Sequence, residues 1–126
     1  MHWIWNDFLL PALLLVLLDS VYLGLSSAYF KRQIMDVQRH PLNLKMSGAV
    51  MCYALLVFAL YFFVLKPHKN IYHAMVLGLV IYGVHETTNY AIFKNWTLST
   101  VLLDTAWGAI LLGLTTFLTY QFSLKE

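Results

Sequence analysis

Residues 8–30 read FLLPALLLVLLDSVYLGLSSAYF, a mainly apolar stretch with one acidic side chain, Asp19, near its centre. A helix needs about 20 apolar residues to cross a bilayer, and this stretch reaches that length. The run is rich in leucine and continuous, with none of the two-residue alternation that marks a membrane-spanning strand. It therefore predicts a transmembrane helix that carries an acid inside the membrane.

Three more stretches of this kind follow, at 44–65, 71–93 and 97–122. The chain is 60% hydrophobic and only 11% charged, which lies outside the range of ordinary soluble domains. We predict an all-α fold: residues 1–126 form one domain, an integral membrane bundle of four transmembrane helices. The expected location is multi-pass in a membrane, with the lipid bilayer as the main partner.

Short polar segments separate the predicted helices. They are a basic loop at 31–45, a turn at 66–70 and a link at 94–96. Pro67 is expected to close the second helix and Asn70 to cap the third. A weaker alternative is that the first span is a signal sequence, cleaved at residues 26–28. It is disfavoured because Asp19 interrupts the apolar core and no basic region precedes that core.

The distribution of Lys and Arg gives a weak indication of how the chain is oriented in the membrane. Five Lys and Arg residues flank one side of the predicted spans and three flank the other, which slightly favours both termini outside the cytoplasm. The net charge of +2 is scattered along the membrane borders, so nucleic acid is not an expected partner.

Three acids, Asp19, Glu86 and Asp104, lie within the predicted spans, where no Lys or Arg accompanies them. Asp19 precedes Lys31 by twelve residues, whereas Glu86 and Asp104 lie eight and ten residues from Lys94. At a rise of ~1.5 Å per residue, all three lie roughly 12–18 Å from one border, near the membrane midplane. Because a carboxylate facing lipid is costly, they are expected to point inward and to share a polar centre.

Each acid has polar or aromatic neighbours at helical spacing, which place Tyr22 with Asp19, Asn89 with Glu86 and Trp107 with Asp104. Such groups can donate hydrogen bonds to a carboxylate. The predicted buried polar cluster consists of Asp19, Tyr22, His85, Glu86, Thr88, Asn89, Asp104 and Trp107. An alternative interpretation is that these residues only fix the register of packed helices.

A short internal repeat links the first and fourth predicted helices. Residues 17–22 read LLDSVY and residues 102–107 read LLDTAW, so both copies have an acid, a hydroxyl residue and an aromatic residue at matching positions. The two copies lie in spans that run in opposite directions, as inverted repeats around a midplane site do.

Three blocks carry a resemblance to a known family. LDSVYLG (18–24), ETTN (86–89) and DTAWG (104–108) resemble the signature blocks of a family of small bacterial four-helix membrane proteins, catalogued as a predicted membrane domain of unknown function. The family usually has Tyr-Asp where this chain has His85-Glu86, and often Trp at the position of Tyr22. The resemblance implies a fold and a set of site positions but no biochemical activity.

The favoured functional hypothesis is binding or passage of protons or small cations at the acid cluster. A homo-oligomer is expected, because four short helices enclose little space. The alternatives are a non-catalytic structural subunit of a larger membrane assembly and a lipid-handling or lipid-modifying protein. No nucleophile, phosphate-loop or zinc-protease motif occurs, so we lean against an enzyme, and we expect no cofactor. Asp19, Glu86 and Asp104 are weak metal candidates, since their spacing is not diagnostic.

Overall fold

The computed structural model describes residues 2–40 and 45–124, and within them the chain folds into four helical segments and no strand. We number these segments α1 (His2–Gln38), α2 (Met46–Leu65), α3 (Ile71–Ile92) and α4 (Leu98–Phe122). The predicted all-helical fold is confirmed for these residues. The predicted first residue of the second helix, Leu44, lies outside them.

Three of these segments, α1, α2 and α4, are long and apolar enough to cross a membrane. α3 is long enough, with 22 residues, but it is not apolar enough to count among these candidate spans. Its last turns carry Glu86 and Asn89, which lower the hydropathy of that half. Three membrane-spanning helices are thus supported by length and composition, and the predicted fourth span over α3 stays a prediction.

The first helix is longer than the sequence pattern predicts. Its last turns run from Lys31 to Gln38, where we expected the basic loop to begin, so that expectation is wrong. The physical reason is Gln33, which is buried by contacts with the start of α4 and holds this segment in helical form. The helix ends where Arg39 adopts a left-handed conformation with φ of 64°, one residue before His40.

Two π-helical turns widen the helices. In α1 the turn covers Trp5–Leu9, directly before the segment in which Pro11 occupies the first turn. Proline has no N–H to donate and its ring crowds the preceding turn, which explains the wider winding. A second π-helical turn, Tyr61–Leu65, ends α2.

The turn between α2 and α3 has the capping residue that the sequence predicts. The Asn70 side chain accepts a hydrogen bond from the backbone N–H of His73 at 3.1 Å, so the predicted cap is confirmed. The Tyr120 hydroxyl of α4 donates to the Lys69 carbonyl at 2.6 Å. These bonds fix one end of the helix assembly.

Helix α4 packs antiparallel to both α1 and α3. At one end Asn6 exchanges hydrogen bonds with the backbone of Leu124, and at the other Gln33 donates to the Asn95 carbonyl at 2.8 Å. α3 and α4 form the closest pair of helices. They meet at Gly78 and Gly108, where a Cβ on Gly78 would overlap the Gly108 carbonyl. The absence of side chains lets the two backbones touch.

Many large apolar side chains are exposed, whereas several polar side chains are buried, which is unusual for a soluble protein. Leu25 is 86% exposed, whereas Glu86 is only 2% exposed. This distribution is expected when hydrocarbon is the surrounding solvent. The apolar core lies toward the α2–α3 turn and includes Leu15, Leu56, Leu60, Val64, Ala74, Leu111 and Leu112.

Candidate functional site

Asp19 connects three helices through its two carboxylate oxygens. The Tyr53 hydroxyl of α2 donates to Oδ2, and the Trp107 indole N–H of α4 donates to Oδ1 at 2.9 Å. Asp19 itself projects from α1 and is buried. A buried carboxylate with two donors is well satisfied, so this acid holds α1, α2 and α4 at a fixed register.

Asp104 lies on α4, across the α1–α4 interface from Asp19. The Tyr22 hydroxyl of α1 donates to Asp104 Oδ1 at 3.3 Å. The Tyr22 and Trp107 rings stack with centroids 4.5 Å apart and planes within 5° of parallel. The two aromatic donors therefore lie face to face between the two acids.

This geometry corrects the pairing that helical spacing predicts. We expected Tyr22 to pair with Asp19 and Trp107 with Asp104, but each aromatic residue donates to the acid on the opposite helix. Because α1 and α4 run antiparallel, the residue three positions after one acid lies level with the other acid. The two copies of the internal repeat thus form reciprocal hydrogen bonds between the helices, with approximate two-fold symmetry. We call these two contacts, from Trp107 to Asp19 and from Tyr22 to Asp104, the cross-helix clasp.

Glu86 extends the network into α3. Its Oε1 accepts a hydrogen bond from the Trp96 indole N–H at 2.9 Å. The Glu86 and Asp104 carboxyl groups also lie close enough to interact with each other across the α3–α4 interface. Two adjacent carboxylates repel each other, and one proton shared between them would relieve this repulsion. This pair is the central chemical feature of the site.

Three of the predicted cluster residues lie apart from this network. Thr88 is exposed, and its hydroxyl donates to the Val84 carbonyl of its own helix at 2.6 Å. Asn89 pairs with the exposed His85 at 3.4 Å instead of with Glu86, so that predicted pairing is wrong. His85 and Asn89 are four residues apart on α3, so their side chains meet along the same helix.

Two donors in the network were missed by sequence reasoning. Tyr53 supports Asp19, and Trp96, in the link before α4, supports Glu86. Tyr53 lies eight residues from Lys45, so the same depth count that placed the acids also places this hydroxyl near the midplane. No comparable signal identifies Trp96, because its contact depends on how the link folds back.

A cavity of about 680 Å³ opens beside the network, between α1, α2, α3 and α4. Its polar end is formed by Asp19, Tyr22, Tyr82, His85 and Asp104. Its wall is apolar and includes Leu55 and Phe58 of α2, which are 69% and 57% exposed. The cavity therefore opens sideways, toward the surface that faces lipid.

No metal centre is evident in the described part of the chain. Within residues 2–40 and 45–124, no group of three or more His, Cys, Asp or Glu side chains is placed to hold a metal ion. The weak metal candidates Asp19, Glu86 and Asp104 are instead engaged by Tyr, Trp and carboxyl partners.

The buried face of α4 is rich in threonine on both sides of the acid network. Toward the α3–α4 link, the Thr100 hydroxyl contacts Gln33 Oε1 at 2.6 Å and Tyr29 at 2.8 Å. Toward the other end of α4, the buried hydroxyls of Thr115, Thr116 and Thr119 have no hydrogen-bond partner among the described residues. The same is true of the Thr105 hydroxyl, next to Asp104. Leu111 and Leu112 fill the space between the two groups of hydroxyls.

Gln33 is expected to stabilise the start of α4. Its Oε1 accepts from the Thr97 backbone, the Thr97 hydroxyl and the Thr100 hydroxyl. Replacement by leucine removes all three of these hydrogen bonds and is expected to lower the free energy of unfolding by about 1–3 kcal/mol. Denaturation in mixed detergent micelles measures this loss. The exposed Gln121→Leu is the matched control, and an equal effect of both substitutions would contradict the assignment.

Outward apolar faces, three candidate spans and inward-facing acids define a multi-pass integral membrane protein. The chain belongs to a family described as predicted membrane protein (DUF2177), whose model matches residues 4–121. The predicted resemblance to a membrane family of unknown function is thereby confirmed. No curated protein and no solved structure gives a significant match.

Proposed function

We propose that all four helices cross the membrane, α3 included, and that the carboxyl network binds and exchanges protons or small cations near the midplane. The gathering of three acids into one network, with Glu86 buried close to Asp104, is the observation that carries this proposal. Two neighbouring carboxyl groups are stabilised when a proton or cation neutralises one of them, so this pair is arranged to take up or give up positive charge.

The charge balance of the site supports this function. Three carboxyl groups share the network, and no Lys or Arg side chain is hydrogen-bonded to them or lines the adjacent cavity in the described part of the chain. An ionised acid at the bilayer centre costs roughly 2.5–3.5 kcal/mol on insertion scales. Bound protons or cations offset this cost, and the network therefore has a physical reason to bind them.

Routes toward the network also support exchange with solvent. The cavity brings Asp19 and Asp104 to an open surface, whereas Glu86 is enclosed. Along α4, Thr100 and Tyr29 lead toward the border with the basic residues, and Thr115 and Thr119 lead toward the other border. Leu111 and Leu112 separate the second route from the acids, which fits a path that opens only transiently.

Proton flux into liposomes that contain the purified protein tests the proposal. We expect wild type to dissipate an imposed pH gradient, and the Glu86→Gln, Asp104→Asn double variant to fall to the rate of empty liposomes. Asp36→Asn removes an acid at the membrane border and is expected to retain wild-type flux. Flux that survives the double substitution would exclude the carboxyl pair as the exchange site.

A structural role is the second candidate, because Asp19 has a donor on each carboxylate oxygen and links three helices. On this reading the chain is a non-catalytic subunit, in a homo-oligomer or a larger membrane assembly. Mass measurement by light scattering in detergent, together with identification of co-purifying proteins, tests it. Folded wild type that shows no flux and purifies in a defined assembly would favour this candidate.

A further inference from the structure

We propose that the cavity beside the acid network binds a lipophilic organic cation, of the ammonium or phosphonium type, which enters sideways from the bilayer. This inference rests on the proposed function, because it names the class of cation that the carboxyl groups take. It is carried by the shape of the cavity and by the distribution of charge and apolar surface within it.

The polar end of the cavity is suited to a positive charge. Asp19 and Asp104 both line it, and no Lys or Arg is among its lining residues. The rings of Tyr22 and Tyr82 also line this end. Aromatic faces attract cations, and the attraction strengthens where water is excluded. Ionised Asp19 and Asp104 would repel an anion, and His85 is the one side chain in the lining that can carry a positive charge.

The wall of the cavity is suited to apolar groups. Leu55, Phe58 and Phe63 of α2 and Ile81 of α3 contribute to it. A volume of about 680 Å³ falls within the range of sites that enclose drug-sized molecules. A small hydrated ion would leave this apolar wall in contact with water, whereas an organic cation would cover it.

The exposure of the residues that line the cavity indicates the direction from which an organic cation would enter. Leu55 and Phe58 are among the more exposed apolar residues of α2, and both line the cavity. α2 packs chiefly against α1, and no extensive contact joins it to α3 in the described residues. The cavity therefore opens between α2 and α3 toward lipid, where an amphipathic cation concentrates.

Calorimetric titration of the detergent-solubilised protein with tetraphenylphosphonium tests the inference, with detergent alone as the blank. Tetraphenylborate is the matched probe, since it has nearly the same size and the opposite charge. We expect saturable binding of the phosphonium only. Binding should be lost in Asp19→Asn, Asp104→Asn and the cavity-filling Ala59→Trp, and kept in Asp36→Asn. Elution as a single peak checks the folding of each variant.

Two results would overturn the inference. Equal binding of both probes would mean that the cavity is only an apolar pocket. Absence of phosphonium binding in protein that still conducts protons would reject the organic cation and leave the proposed function standing. Phosphonium binding without any proton flux would support the cation site and reject proton exchange, so the two failures are distinguishable. Ala59→Trp keeps every acid, and it therefore tests the cavity independently of the carboxyl network.

Discussion

Replacing Gly78 by alanine is expected to lower the free energy of unfolding by about 1–3 kcal/mol, the usual cost of overpacking a close contact. A Cβ at this position would overlap the Gly108 carbonyl of α4, and backbone atoms cannot turn aside as a flexible side chain does. α3 and α4 would have to separate, and the Glu86–Asp104 pair would separate with them. Denaturation in mixed detergent micelles measures the loss.

Gly83→Ala provides the matched control on the same helix. Its Cβ would meet only a methyl group of Thr105 at 3.5 Å, an ordinary contact. Alanine is also the better helix former, so this variant is expected to be as stable as wild type or slightly more stable. Equal destabilisation by the two substitutions would show that the close approach at Gly78 is not what holds α3 against α4.

Replacing Trp107 by phenylalanine is expected to cost about 1–3 kcal/mol, because the buried Asp19 carboxylate loses one of its two donors. The aromatic ring that stacks on Tyr22 is kept, so the effect isolates the indole N–H. In a double-mutant cycle, Trp107→Phe and Asp19→Ala should show a coupling energy of about 1–2 kcal/mol.

A second cycle, between Trp107→Phe and Asp104→Ala, separates the two possible pairings. Trp107 and Asp104 are three residues apart on α4, yet the indole donates to the other helix. This coupling is expected to be clearly smaller than the first. If Trp107 coupled more strongly to Asp104 than to Asp19, the cross-helix clasp would be wrong and the pairing along one helix would be right.

The clasp also gives the internal repeat a physical meaning. In each copy an acid is followed by an aromatic donor at i+3, and on the two antiparallel helices each donor bonds to the acid of the other copy. Asp19 and Trp107 form one half, and Asp104 and Tyr22 form the other. Inverted repeats at a midplane site are a recurring design of membrane transport proteins.

The sequence by itself determined the helical class, the membrane location and the inward position of the acids. Each of these follows from local quantities: the length of apolar runs, the cost of an acid in lipid, and the cap at Asn70. The depth count placed Asp19, Glu86 and Asp104 in one layer because helical rise is nearly constant.

Only the tertiary structure decided which groups bind one another. Four features depend on how the helices are rotated and offset: the partners of Asp19, the approach of Glu86 to Asp104, the contact from Trp96 and the helical extension of α1 to Gln38. Spacing along one helix fixes which residues share a face, but not which residues of another helix that face meets. That choice is made by packing, here through the close approach of α3 and α4 and the antiparallel register of α1 and α4.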